Sequence, residues 1–336
     1  MVALPPALIC LVVFNILISV LGTFGNALVL LAVVKNRSLQ TVPDLFIFSM
    51  AVADLIVTGV QQPMLTCRVY RINSPNLTFN SILETIGFLA ILASITSMFM
   101  VTIDRFVAIQ RPFVYIRLAT SKRAVQVIST LWILCPTFTV SSHFIQGQEK
   151  YYAVWTYMTI LLLSTVIIYV YLFYTARKQQ NKIIMANTLG TSVRSNDHTQ
   201  KGIPLRTRQR NERKPAKTIA IVVGVFIVFW TPFLAYVITN ADILEKEELD
   251  KMIWFYWFLS LSLCNSTLNP YIYCVRNSRY RLAFAKLLHL KRVIQLDSSQ
   301  VQSYARPTNA NVIEQQEGEL QKRRGVKGTV EVIEIQ

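Results

Sequence analysis

A few ionisable residues of this 336-residue chain sit inside apolar runs, where such a group is out of place. Asp54 lies within one such run, Glu84 near the start of another, and the pair Asp104-Arg105 at the end of that second run. A charge at the centre of a bilayer costs about 3 kcal/mol or more, so each of these groups calls for a partner or a purpose. The chemistries open to them are cation binding, proton transfer and a breakable ion pair. Hydrolytic and phosphoryl-transfer constellations are missing. The histidines His143, His198 and His289 are scattered over loops and tail, and there is no HExxH, GxSxG or phosphate loop. The five cysteines lack the paired spacing of a zinc site or a disulfide-dense scaffold. An enzyme is therefore not expected.

Glu84, Gly87, Ile91, Ser94, Met98, Thr102 and Arg105 recur every three or four residues and so share one helical face. At 1.5 Å per residue that stripe is about 30 Å long, the thickness of the hydrocarbon. It joins an outer carboxylate, a mid-depth hydroxyl and an inner guanidinium. A helix-packing seam would account for Gly87 and Ser94, but not for Glu84 or Arg105. Further polar residues stand inside apolar runs: Asn26 after Gly25, and Asn265, Ser266 and Asn269 just before Pro270. Trp230 and Pro232 share another run, where the proline frees a carbonyl and permits a bend.

The elements that must position these residues follow from composition. Hydrophobic residues make up 53% and charged residues 15%, against roughly 25% charged in a soluble domain. Mean hydropathy is +0.40. Lipid must cover that surface. Runs of about 20 apolar residues fall near 7–34, 42–66, 81–109, 124–142, 153–175, 218–240 and 252–275. Unpaired backbone is intolerable in hydrocarbon, which makes them helices. The expected fold is an all-α, seven-transmembrane helix bundle (7–275), preceded by a short extracellular N-terminus (1–6) whose first span is a retained anchor. It is followed by an amphipathic membrane-surface helix (276–290) and a disordered cytoplasmic tail (291–336).

Orientation follows from charge. The formal net charge of +16 concentrates in alternate loops, with eleven Lys/Arg in 177–217 alone. Arg68 and Arg71, Glu149 and Lys150, and the acidic run 242–250 mark the poorer loops. The positive-inside rule then places the N-terminus outside and the C-terminus inside, and assigns the basic surplus to the inner membrane face rather than to nucleic acid. Asn76-Leu77-Thr78 becomes an extracellular glycosylation sequon at Asn76. Ser298, Ser299, Ser303 and Thr308 are candidates for phosphorylation in the tail.

Gly25-Asn26, Ala51-Val52-Ala53-Asp54-Leu55, Asp104-Arg105-Phe106, Trp132, Phe229-Trp230-Thr231-Pro232 and Asn269-Pro270-Tyr271-Ile272-Tyr273 follow one another across the spans. Together they resemble the rhodopsin-like (class A) G-protein-coupled receptors, over roughly residues 7–290. The resemblance implies a plasma-membrane, multi-pass receptor for an extracellular small molecule, lipid or short peptide, acting through a heterotrimeric G protein and regulated by arrestin and receptor kinases. It implies a sodium pocket of Asp54, Ser94, Asn265, Ser266 and Asn269, the ion being allosteric and no cofactor being required; oxygen-rich ligation suits a hard cation. It further implies an activation switch. Arg105 pairs with Asp104 and also with Glu212; Ile95, Phe226 and Trp230, near the Pro232 bend, form an apolar switch beneath the ligand; and Tyr169 and Tyr273 steady Arg105 once the sixth span swings outward. Pro112 and Phe113 would join Arg105 in touching the G protein.

The departures from the family are informative. Asn80 stands where a disulfide cysteine is usual and the loop 143–150 is short and cysteine-free, so that bridge should be absent. Gly87 replaces the acid of amine receptors and Leu263 the retinal-binding lysine. Glu84 occupies a position where melanocortin-like and lysophospholipid-like receptors carry an acid. Met64, Asn80 and Leu83, however, replace those groups' companion residues. The expected ligand pocket is Glu84, Gly87, Phe88, Ile91, Trp230, Phe233 and Leu259, with Glu84 contacting a cationic or hydroxyl group and the acidic outer loop favouring cations. The rival reading is a transporter or channel with Asp54 and Glu84 in a permeation path, though paired repeats and broken helices are not seen.

Overall fold

The structure is a computed structural model that describes residues 5–71, 76–142, 144–145, 147, 149–190, 221, 224–240 and 249–290; within 149–190 side chains are described for 149–172 and 174–175. Span one is Pro6–Lys35, span two Val42–Tyr70, span three Leu77–Gln110, span four Ser121–Ser142 and span five Glu149–Gly190. Span six is described over Gly224–Thr239, and span seven is Leu249–Arg276. A short loop helix, Pro112–Leu118, links spans three and four, and a tail helix, Ser278–Leu287, follows span seven. Five of these helices are long and apolar enough to cross a membrane, and Gly224–Thr239 is a shorter apolar helix. Contacts group the chain into two units, Met1–Phe284 and Ala285–Gln336.

Two boundaries differ from those expected. Span five does not stop near residue 175 but continues as helix through Gly190, into the stretch read as an inner loop. No proline interrupts residues 176–190, so the backbone ladder runs on once lipid packing ends. Span two likewise runs on to Tyr70, which places Arg68 inside the helix and not in an outer loop. The reason is local. Pro63 cannot donate to the backbone ladder, and the helix accommodates it with a single π-turn at Val57–Gln61. One extra residue rotates everything beyond by roughly 100°. Gln61, Gln62, Leu65 and Arg68 thereby turn inward and are buried.

Span three is the hub. Residues 90–98 are all buried, so its middle has no lipid-facing side and the single polar stripe is a stripe only toward its ends. Its polar residues are joined to neighbours on several sides. Ser97 meets Ser49 at 3.2 Å, Ser49 also accepts from the Trp132 indole at 3.0 Å, and Thr96 meets Tyr157 at 3.0 Å. Span one is the opposite case, with Ile9, Val13, Leu17 and Val20 exposed for lipid. Its inward side is tied to span seven by hydrogen bonds from Asn15 to Ser260 (2.8 Å), Asn26 to the Ser266 carbonyl (3.0 Å) and Thr267 to the Ile18 carbonyl (3.0 Å). Such bonds replace the hydrophobic drive that lipid removes. Gly22 is required at this seam, since a Cβ there would stand 2.4 Å from Thr58 Cγ2 and 2.6 Å from Thr267 Oγ1.

At the inner end, Asp44 anchors the tail helix. Its buried carboxylate accepts from Thr41 at 2.5 Å and from the Tyr280 hydroxyl at 3.2 Å, and pairs with Arg279 at 3.2 Å. Tyr280 and Phe284 are buried while Arg279 is exposed and Arg281 half-buried, an amphipathic pattern.

Candidate functional site: an outer cavity above a buried polar core

The outer ends of spans two, three, five, six and seven enclose a cavity of about 460 Å³. All seven residues expected of a ligand pocket line it: Glu84, Gly87, Phe88 and Ile91 from span three, Trp230 and Phe233 from span six, and Leu259 from span seven. Sequence reasoning missed the contributions of span two and span five, namely Gln61, Leu65 and Arg68, and Tyr151, Val154, Trp155 and Met158. Pro63 was the available signal for the first group, because a proline inside a span foretells a bulge and a change of inward face. Most of the wall is apolar or aromatic, with few polar groups, as ligand sites generally are.

Glu84 is not free to receive a cation. Lys150 Nζ lies 2.6 Å from its Oε1, and the Tyr151 hydroxyl donates to Oε2 at 3.2 Å. Lys150 is also held 4.7 Å over the Tyr151 ring. The short second outer loop brings span five close enough for its first turn to supply this counter-charge. Residues 241–248, most of the acidic outer loop, lie outside the described residues.

Trp230 forms part of the cavity floor, stacked on Phe226 with ring centroids 5.6 Å apart, and Phe233 meets its other side edge-on at 6.0 Å. Ile95 is buried, as the apolar switch requires. Deeper in the bundle lies Asp54, fully buried. Its Oδ1 accepts from Ser94 and Ser266, each at 2.7 Å, and its Oδ2 accepts from Asn269 at 2.8 Å. Three spans thus converge on one carboxylate. Asn265, expected among them, is buried but makes no bond to Asp54; its Oδ1 and that of Asn269 have no hydrogen-bond partner. The unpartnered Asn269 oxygen, on the side chain that donates to the Asp54 carboxylate, joins two hydroxyls in a donor set that fits a hard cation's preference for oxygen. Among the described residues no three His, Cys, Asp or Glu gather as a metal cluster.

At the inner end of span three, Asp104 and Arg105 form the expected pair. The loop helix adds a residue that the sequence reading did not name. Tyr115 donates to Asp104 Oδ1 at 2.9 Å and lies 3.4 Å from Arg105 Nη2. Burial, reinforced by the Asp104 charge, pushes the Tyr115 hydroxyl up to about 12, so it remains a donor throughout the physiological range. Tyr169 has a buried hydroxyl without a hydrogen-bond partner, close to Thr102 and Arg105. Tyr273 packs instead on Tyr280, ring centroids 5.7 Å apart. Glu212 lies outside the described residues. Pro112 opens the loop helix, and Phe113 beside it is 88% exposed. Asn76 caps span three by accepting from the Phe79 amide at 2.9 Å. All five cysteines are free, so the usual outer disulfide is absent, as expected.

A helical bundle with an apolar cavity at one end, an arginine-carboxylate pair at the other and a buried polar core between them is the plan of a seven-span receptor. The chain belongs to the family described as 7 transmembrane receptor (rhodopsin family), which matches residues 25–153 and 138–273. It is 30% identical to cannabinoid receptor type 1B of Takifugu rubripes over 354 residues, covering 95% of this chain and 72% of the relative. It is 27% identical to melanocortin receptor 5 of Mus musculus over 275 residues, covering 78% and 79%. The human melanocortin receptor 5 is 26% identical over 283 residues, covering 81% and 82%. The protein is accordingly a multi-pass plasma-membrane receptor that signals through G proteins, not an enzyme.

Proposed function

We propose that this receptor binds a small extracellular ligand in the cavity floored by Trp230 and activates a heterotrimeric G protein through outward movement of span six. The observation that carries the reading is the stacking of Trp230 on Phe226, which places one side of the switch against the cavity and the other against the packed core. A ligand that presses on Trp230 has unequal affinity for the two states of span six, and only such inequality can shift the balance between them. The relatives' names carry different ligands, cannabinoid in one and melanocortin in the others. A volume of about 460 Å³ favours a small one.

In this reading the Asp104–Arg105–Tyr115 cluster holds the inner face closed, and Arg105 is released to meet the G protein alongside Pro112 and Phe113. The exposed Phe113 supports this, because a large apolar side chain on an inner loop helix suits a partner's hydrophobic pocket. Sodium at Asp54, Ser94, Ser266 and Asn269, with Asn265 completing the oxygens, stabilises the closed state. The N-terminus is extracellular and the tail cytoplasmic, where arrestin and receptor kinases act, and Asn76 carries a glycan. The test is a panel of candidate ligands read by second-messenger output in cells expressing the native chain and Arg105→Ala at matched surface density. The native receptor responds to at least one and Arg105→Ala to none; an equal response from both would overturn the mechanism.

A further inference from the structure

Two charged side chains line the outer cavity among its described residues, Arg68 and Glu84, and they are treated in opposite ways. Glu84 is neutralised by Lys150 and held by Tyr151. Arg68 is only 9% exposed, and its Nη1 is buried without a hydrogen-bond partner. No acidic residue pairs with it among the described residues, where the ion pairs are Arg105–Asp104, Lys150–Glu84 and Arg279–Asp44. Burying a guanidinium without a partner is costly, and a charge-assisted partner offsets that cost. The π-turn in span two is what aims it inward.

The surroundings extend the recognition. Gln61 is packed over Gly87, its Nε2 only 3.0 Å from where a Cβ would stand, so the glycine makes room for the amide. Gln61 Oε1 and Asn80 Oδ1 are both buried and unpartnered beside the cavity. Beyond these polar groups the wall is apolar, running through Leu65, Ile91, Phe233 and Phe255 to Trp230.

We infer that the ligand is an anionic amphiphile, whose carboxylate or phosphate head pairs with Arg68 while its apolar body lies across the cavity toward Trp230. The inference rests on the receptor reading above for where the ligand binds, but not for what binding does. Guanidinium pairs with carboxylate or phosphate through two parallel, charge-assisted hydrogen bonds, which give direction as well as affinity. An amine finds no free carboxylate in the described wall, since Glu84 is already engaged.

The test uses the full-length protein in neutral-lipid nanodiscs with four probes of one tail length: undecanoate, decyl phosphate, decanol and decylamine. Binding is read from the ligand-dependent rise in unfolding temperature, and output from nucleotide exchange on added G protein. The two anions bind, the better of them identifying the head; decanol binds at least tenfold more weakly and decylamine more weakly still. Arg68→Gln lowers affinity for the anions about tenfold or more and leaves decanol unchanged. Arg68→Lys, which retains the charge, keeps the preference for anions and serves as the readout should the glutamine variant fail to reach the surface. Equal or tighter binding of decylamine, an anion preference that survives Arg68→Gln, or failure of both anions to bind overturns the inference. Arg68-dependent anion binding that never alters nucleotide exchange upholds it while removing the proposed signalling role of the cavity.

Discussion

Around the inner carboxylates, partners converge from several elements: Ser94, Ser266 and Asn269 on Asp54, Arg105 and Tyr115 on Asp104, and Thr41, Arg279 and Tyr280 on Asp44. Around the outer cavity, Arg68 Nη1, Gln61 Oε1 and Asn80 Oδ1 have no partners at all. A buried polar atom left unpaired costs about 1–3 kcal/mol, and sites that tolerate the loss are usually those that a ligand completes. The inner carboxylates are each held from several sides, although Asn265 Oδ1, Asn269 Oδ1 and the Tyr169 hydroxyl near them are unpartnered as well; what sets the outer region apart is that its unpartnered group includes a cation, Arg68.

The contrast can be broken at several points. The largest effect falls on the inner pair: Arg105→Ala should reduce stimulated nucleotide exchange to that of membranes lacking the receptor, with surface expression retained. Next, Asn269→Leu removes one of three donors to a buried carboxylate and should destabilise the receptor by about 3 kcal/mol, read as a lower unfolding temperature in nanodiscs. Removing the unpaired outer charge should do the reverse. Arg68→Met is expected to stabilise the ligand-free receptor by about 1 kcal/mol, since an apolar side chain of similar length incurs no desolvation of charge. If both substitutions destabilise alike, the two regions do not differ as described.

The smallest effects concern Tyr115. Tyr115→Phe removes its hydrogen bond to Asp104 and should raise basal exchange several-fold, consistent with loss of one charge-assisted bond at a half-exposed site. The sign of its pH dependence follows from the upward shift. The neutral phenol is the form favoured in the closed state, so its contribution is complete below the ordinary tyrosine value near 10 and is lost only as pH rises through about 12. Basal exchange should therefore show no step from this tyrosine between pH 6 and 9, in a titration comparing the native chain with Tyr115→Phe.

Much of this was legible in the chain. Long apolar runs announced the helices, and the placement of Asp54, of Ser94 and of Ser266 with Asn269 in three separate runs foreshadowed the polar core that they form. The line from Glu84 through Gly87 to Ile91 correctly marked one wall of the cavity. What could not be read was whatever depends on helix rotation or on approach in space. Arg68 looked like a loop residue because hydropathy fades before residue 70, and only the π-turn brings it inward. Lys150 and Glu84 are 66 positions apart, and nothing in either segment states that they meet. Tyr115 lies in a loop whose fold back onto Asp104 is set by the helix beginning at Pro112.

In the proposed mechanism, release of Arg105 from Asp104 and Tyr115 accompanies the outward movement of span six. Spin labels at the inner ends of spans three and six, at Gln110 and Ile221, would report that separation in nanodiscs by pulsed electron resonance. The account predicts that Asp104→Asn adds a longer-distance population, together with increased basal nucleotide exchange. Increased exchange with an unchanged distance distribution would contradict it.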